Sequence, residues 1–337
     1  MSHSSRKFEI KPATRTKVPL LIGLVGPSSS GKTVSALRLA TGMARVYGGR
    51  IGVIDTEADR ARHYAPLPGQ AACPPKTFDF DHMSFAPPFS PLDYLDAIRS
   101  MASSGVKTIV VDSTSHEHEG PGGVLEWHEK LTEELAQRWK TTLEKAQLSA
   151  WGAPKAARRK LLNEIVQMGI NTVFCFRAKE KIKIIPGKDP VQLGWMPIAG
   201  EEFVFEMTAN FLLPPRSDGR PMLMPREEGE KMIAKMPGYF VDMVSQGRQI
   251  DEKMGEDMAR WAAGEAQQAT QAPQPQSAPP KPWQPLLDAL DAAGIKDRGQ
   301  WISTQVGRSV KSANGLTQDE IQRLTAFAIE LRAGAPE

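Results

Sequence analysis

The sequence predicts an α/β fold in which a mainly parallel sheet is covered by helices, carries an antiparallel extension, and is followed by a small C-terminal three-helix module. Three observations carry that expectation. Runs rich in Val and Ile alternate with amphipathic stretches, the pattern of strands joined by helical crossovers. A loop of glycines and serines stands between the first such run and the stretch after it. A charge-free segment of Gln, Ala, Pro, Ser and Thr, Ala266 to Pro280, cuts the chain unequally. With 337 residues, and roughly 100–200 residues per domain, one large and one small domain fit the length.

In chain order, Leu20–Val25, Arg50–Ile54, Thr108–Val111 and Thr172–Phe176 read as buried strands. Val34–Val46, Leu92–Ser103 and Ala156–Met168 read as helices between them. Val124–Leu148 reads as a further helix, packed on the domain by Trp127, Trp139 and Trp151. Beyond Phe176 the spacing predicts strands at Lys181–Ile185, Glu202–Phe205 and Ala209–Leu213, joined by short turns as an antiparallel extension. The proline-containing stretch cannot bury enough apolar surface to offset its ordering entropy, so it reads as a tether. After it come three short amphipathic stretches, the last opened by Thr317 and Glu320 at capping-box spacing. The expected division is a flexible N-terminus over 1–17, a large α/β core over 18–250, a helix end and linker over 251–281, and a helical domain over 282–337.

Composition excludes several classes. The chain is 40% hydrophobic, 24% charged and 7% aromatic, which is ordinary globular usage. Its longest apolar run, Val18–Val25, contains Pro19 and Gly23 and falls far short of the ~20 residues of a membrane span. The charged N-terminus lacks the apolar stretch of a signal peptide. Cys73 and Cys175 stand in unlike contexts and define neither a disulfide framework nor a zinc site. A cytoplasmic location without membrane association is therefore expected. Net charge is only +3, yet Gly152 to Lys188 holds nine Lys or Arg against two acids.

Gly26-Pro27-Ser28-Ser29-Ser30-Gly31-Lys32-Thr33 matches G-x-x-x-x-G-K-[ST] in the required strand–loop–helix setting. Such a loop turns successive backbone N–H groups and a helix N-terminus toward a phosphate. Lys32 is expected to neutralise the β- and γ-phosphates of ATP, and Thr33 to ligate Mg²⁺. Asp112, ending the strand Ile109–Asp112, is the companion carboxylate for the Mg²⁺ shell. Glu57, just past the second strand, can orient and polarise an attacking water. His116 to Glu119 lacks a third ligand at useful spacing and is expected to serve the nucleotide site or a neighbouring subunit.

Together GPSSSGKT, VIDTEADRARHYA (53–65) and IVVDS (109–113) resemble the ATPase core of the RecA recombinases. That resemblance implies a RecA-like core with Glu57 activating water, and Tyr64, seven residues on, stacking on adenine. HEHEGPGG, the 151–160 stretch and FRAKEKIKI (176–184) look more closely like phage-encoded RecA-like proteins, some of them annealing or recombination ATPases of the Sak group. The partners so implied are single-stranded DNA, further copies of the chain, and a single-strand-binding or annealing protein. One departure concerns the glutamine that senses the γ-phosphate in RecA enzymes. Here the corresponding strand end reads Arg177, Ala178, Lys179, so Arg177 or Lys179 is either a charge-stabilising finger or part of a solvated basic strand end.

The basic segment offers DNA contacts at Lys155, Arg158, Arg159 and Lys160. Trp195, in a loop expected over 184–200, is either a base-stacking residue or core. The C-terminal module balances six basic against six acidic residues between Trp283 and Gly334, and reads as a partner-docking or weak DNA-binding domain. Two alternatives remain at this stage: a nucleotide-gated scaffold with little turnover, and a P-loop kinase, for which no Arg-rich lid is evident.

Overall fold

A computed structural model of the chain describes residues 9–13, 16–184, 190–222, 235–244, 247–265, 283–310, 312 and 315–333. The tether expected at 266–280, residues 185–189 of the expected 184–200 loop, and most of the N-terminal segment expected to be flexible lie outside these. Two compact units emerge, 1–266 and 267–337.

The first unit runs β1 (Leu21–Gly26), α1 (Lys32–Tyr47), β2 (Ile51–Asp55), β3 (Asp81–Ser84), α2 (Pro91–Ser103), β4 (Thr108–Asp112), α3 (His116–Glu119), α4 (Val124–Trp139), α5 (Leu143–Ala150) and α6 (Gly152–Met168). It continues with β5 (Asn171–Lys183), β6 (Val191–Pro197), α7 (Glu201–Glu206), β7 (Ala209–Leu212), α8 (Gly238–Val244) and α9 (Glu252–Ala262). The sheet order is β3-β2-β4-β5-β1-β7, with β6 paired to β5. All pairings along that path are parallel. β5 therefore lies between the strand that feeds the glycine loop and the strand that ends in Asp112. The first unit is an α/β core built on a mainly parallel sheet, and β1, β2 and β4 are buried throughout as strands covered on both faces must be.

The part after Phe176 departs from the sequence reading. Residues 202–205 lie in the helix α7, because Phe203 alone needs burial against Phe174 and Phe176. β7 is parallel to β1, so only β6, antiparallel to the extended end of β5, forms the expected extension. The 124–148 stretch is two helices broken at Lys140, whose φ of 51° leaves the helical region, and Trp139 is exposed. The edge strand β3 carries too little hydrophobic pattern to be read from sequence.

The sheet separates two apolar layers. On one side Leu37, Leu39, Ala40 and Met43 of α1 pack with Met254, Met258 and Ala259 of α9. On the other, Tyr94, Leu95 and Ile98 of α2 pack with Leu161, Leu162 and Ile165 of α6. The core thus extends through α9, beyond the boundary expected at residue 250. Contact between α1 and α9 is close enough to demand glycine on both helices. A Cβ on Gly42 would lie 1.9 Å from the Glu252 carbonyl oxygen, and one on Gly255 2.3 Å from that of Leu39. At the same seam the Arg38 guanidinium donates to both Glu252 oxygens.

In the second unit α10 (Gln284–Ala292), α11 (Arg298–Val306) and α12 (Gln318–Ala333) enclose Leu286, Leu290, Ile302, Ile321, Leu324 and Ala328. The capping box is formed: Glu320 N–H donates to Thr317 Oγ1 at 3.3 Å and Thr317 N–H to Glu320 Oε2 at 2.8 Å. Among the described residues no helix is long and apolar enough to cross a membrane.

The α1–α9 seam yields a test. Gly42→Ala gains up to ~1 kcal/mol of helix propensity, yet its methyl meets backbone that cannot step aside. Net destabilisation of roughly 1–3 kcal/mol is expected from overpacking, read as a lower denaturation midpoint. An unchanged or raised midpoint would mean that the helices separate freely.

Candidate nucleotide site

The loop between β1 and α1 is shaped by what surrounds its glycines. Gly31 adopts φ 88°, and a Cβ there would lie 2.8 Å from Gly219 N; a Cβ on Gly26 would lie 2.4 Å from the Leu213 carbonyl oxygen. Both positions exclude side chains for steric reasons, and Ser29 joins Gly31 in the left-handed region at φ 61°. Pro27 accepts a 2.7 Å hydrogen bond from Lys32 Nζ. Ser28 and Ser29 are exposed, while Ser30 is buried and its Oγ has no hydrogen-bond partner among the described residues. Burial lowers the Lys32 ammonium's proton affinity, against the attraction of Asp112 and Glu57.

Thr33, on the first turn of α1, donates a 2.5 Å hydrogen bond to Asp112 Oδ2. Asp112 is almost fully buried, and burial pushes its pKa above the usual carboxylate range, opposed by the Thr33 bond and Lys32. Its register partner on β5 is Cys175, a buried thiol held protonated by the same desolvation. Paired oxygen donors beside a helix N-terminus fit a hydrated Mg²⁺, and the unpartnered Ser30 hydroxyl and positive-φ Gly31 fit a phosphate.

A cavity of about 400 Å³ opens beside this loop, lined by Ser29, Gly31, Lys32, Thr33, Val34, Tyr64, Arg216 and Asp218. Tyr64 lines this cavity together with the glycine loop. Arg216 and Asp218 were not legible as site residues. They belong to a turn that docks on the loop, Gly219 N–H and Ser217 Oγ both meeting the Ser30 carbonyl oxygen at 3.2 Å. The run Pro-Pro-Arg-Ser-Asp-Gly signals a turn, but nothing in it says what the turn faces.

Glu57 and Arg177 meet over the carboxyl edge of the sheet. Arg177 Nε donates to Glu57 Oε1 at 3.0 Å, and Nη2 donates to Oε1 and Oε2 at 2.7 and 2.8 Å. The Arg177 backbone N–H is held by Ser115 Oγ at 2.8 Å. His116 lies against the same edge, with Nδ1 2.8 Å from Thr56 Oγ1 and its ring stacked on Phe89 at 5.0 Å. Of the two candidate fingers only Arg177 reaches the acid; Lys179, two residues on, is exposed on the extended part of β5.

Within the expected DNA-binding group Arg158 is a correction. Its side chain is 5% exposed and donates through Nε and Nη2 to the two oxygens of buried Glu117, at 2.9 and 2.8 Å. A buried charge must be paired, and this one is not available to a nucleic-acid phosphate. Lys155, Arg159 and Lys160 are exposed on α6. Lys155 Nζ sits 5.4 Å from the centre of the Trp151 ring, which stacks on His128 at 3.9 Å. Trp195 lies on strand β6, half-buried against the core, rather than in a loop.

No family model matches the chain, and no curated protein does. Among solved structures it is similar to a KaiC-like protein from the hyperthermophilic archaeon Pyrococcus horikoshii OT3, at 14% identity and a TM-score of 0.30, over 60% of this chain and 80% of that one.

The Arg158 cluster has a pH signature. His118 Nδ1 lies 3.0 Å from Arg158 Nη2. Burial, then Arg158, Lys179 and Lys181, lowers its pKa to about 4, from ~6.5 in the unfolded chain. Between those values the unfolded state binds the extra proton, so stability falls as pH drops from about 6.5 toward about 4. Denaturant midpoints across that window should decline less steeply in His118→Asn; parallel profiles would remove His118 from the account.

Proposed function

We propose that the chain is a Mg²⁺-dependent ATPase whose turnover is coupled to single-stranded DNA in recombination or annealing. The observation that carries the ATPase reading is the meeting of Thr33 and Asp112 at 2.5 Å beside a loop whose glycines and buried Ser30 leave room for phosphate. Bound there, Mg²⁺ supplies positive charge to the phosphate oxygens. Thr33 and Asp112 would hold it, while Lys32 exchanges its Pro27 carbonyl for phosphate. Tyr64 offers a ring face to the base.

Glu57 is the water-orienting acid of this proposal, and both its oxygens are taken by Arg177. Activation therefore requires an exchange in which Arg177 turns from carboxylate to the transferred phosphoryl group and Glu57 is freed for water. One residue then supplies charge to the phosphate and the other orients the nucleophile. A nucleotide-gated scaffold is the second reading, and the same bridge favours it if the exchange never occurs. Exposed Lys155, Arg159 and Lys160 on α6 and Lys179 and Lys181 on β5 support the DNA part of the proposal, since clustered surface cations answer backbone phosphates. Further copies of the chain and a single-strand-binding or annealing protein are the proposed protein partners.

Lys32→Ala should abolish nucleotide binding, whereas Glu57→Gln should keep it and slow hydrolysis ~10²-fold or more. Arg177→Ala should lower kcat on the order of 10³-fold with affinity little changed, as removal of a charge-stabilising arginine does. Faster turnover in Arg177→Ala would instead mark the arginine as a lock alone, and absence of turnover in the wild type would leave the scaffold reading.

Fluorescence anisotropy over a salt series should show single-strand affinity falling with a slope near 0.7 per phosphate contact. Reversing Lys155, Arg159 and Lys160 to Glu should flatten that slope, while Arg158→Lys should leave it intact. No binding with ATP and Mg²⁺ present would end the DNA coupling without touching the ATPase reading.

A further inference from the structure

We infer that Asp55, Asp59 and His82 form a binding site for a divalent transition-metal ion of the Zn²⁺ or Co²⁺ type, separate from the phosphate loop. Asp55 ends β2, Asp59 opens the short 3₁₀ turn Arg60–Tyr64, and His82 lies on the edge strand β3. One ligand atom from each falls within 4.8 Å of the other two. His82 Nε2 is 3.3 Å from Asp55 Oδ2 and 3.7 Å from Asp59 Oδ1. Metal–ligand bonds of ~2.0–2.1 Å in a tetrahedral shell put neighbouring donors about 3.3–3.4 Å apart. The side chains therefore stand near coordination spacing.

An ordinary hydrogen-bond account leaves one atom over. Asp55 is nearly satisfied within its own turn, accepting Glu57 N–H at 2.7 Å on Oδ1 and Ala61 N–H at 2.8 Å on Oδ2. His82 reaches Asp55 only at 3.3 Å. Asp59 Oδ1, in contrast, is sealed from solvent and accepts no hydrogen bond among the described residues, although the residue as a whole is half-exposed. A buried carboxylate oxygen facing a second carboxylate is costly unless positive charge lies beside it, and a cation bound by the imidazole and both carboxylates supplies that charge. Asp59's partial exposure leaves an entry path and room for water to complete the shell.

One imidazole nitrogen with two carboxylate oxygens suits a borderline divalent cation better than Mg²⁺, which prefers an all-oxygen octahedron. Occupancy would tie β3 to the turn that runs from Glu57 to Tyr64. This inference does not rest on the ATPase reading, because the three side chains bind the ion without nucleotide.

The full chain, stripped with chelator and free of nucleotide, should bind one Zn²⁺ per chain in a competition titration against a chromophoric chelator. With Co²⁺ it should give the intense visible absorption of a low-coordinate site. Zn²⁺ should raise the melting midpoint of the wild type by mass action. His82→Asn and Asp59→Asn should each weaken Zn²⁺ at least ~10-fold, the smallest loss known for perturbing even an outer-shell partner. Glu133→Gln, on the exposed face of α4, should leave Zn²⁺ affinity unchanged. Absence of stoichiometric binding, or binding that survives both His82→Asn and Asp59→Asn, overturns the inference. If either variant fails to fold, the Co²⁺ spectrum and stoichiometry of the wild type decide, a six-coordinate or sub-stoichiometric signal counting against the site.

Discussion

Two buried carboxylates in register on neighbouring strands set the terms for the carboxyl edge of the sheet. Asp55 and Asp112 are Cα partners across β2 and β4, 1% and 5% exposed. Neither can be left without partners in a medium of low dielectric, and each raises the cost of the other's charge. The structure resolves this by turning them opposite ways. Asp55 gathers N–H groups from its own turn and His82 from the edge strand, while Asp112 takes the Thr33 hydroxyl and the field of Lys32. The start of α1 and the turn after β2 thus answer one electrostatic problem from two sides.

The insertion of β5 between β4 and β1 extends this arrangement to Glu57. β5 runs past the end of its pairing with β4 at Asp112 and Cys175, and so carries Arg177 within reach of an acid that follows β2. The pair is partly exposed, 37% for Arg177 and 19% for Glu57. Ion pairs open to solvent are worth only ~0–1 kcal/mol, so exchanging this carboxylate for a more highly charged phosphate costs little. Buried Glu117 and Arg158 are the contrasting case: breaking such a pair by removing one member typically costs ~3–5 kcal/mol. One bridge is fit to open and the other to stay.

Much of this was legible because the relevant signals are local. The glycine loop with its flanking strand and helix, and the buried strand that ends in Asp112, follow from spacing and from runs of Val and Ile, and the capping box of α12 was written in Thr317 and Glu320. What sequence did not show depends on long-range placement. Residues 202–205 look like a strand because Phe203, Val204 and Phe205 are apolar, yet only Phe203 is buried and Phe205 is exposed. Gly42 and Gly255 are unremarkable until two helices that lie far apart in the chain pack side by side. Arg216 and Asp218 come to line the cavity beside the glycine loop only when their turn docks on Ser30.

The misreading of Arg158 has a local remedy in helical geometry. Residues 154, 157, 158, 161, 162 and 165 recur with the period of a helix and are the buried positions of α6, whereas 159 and 160 fall outside that face and 155 on its flank, all three exposed. A basic cluster counted along the chain is therefore two populations in space. The inward arginine holds Glu117, and through it α3, which begins four residues beyond Asp112; the outward cations of the same helix stay exposed. Two parallel hydrogen bonds in a dry setting join Glu117 to Arg158, so the segment that follows Asp112 is tied directly to the helix that presents Lys155, Arg159 and Lys160.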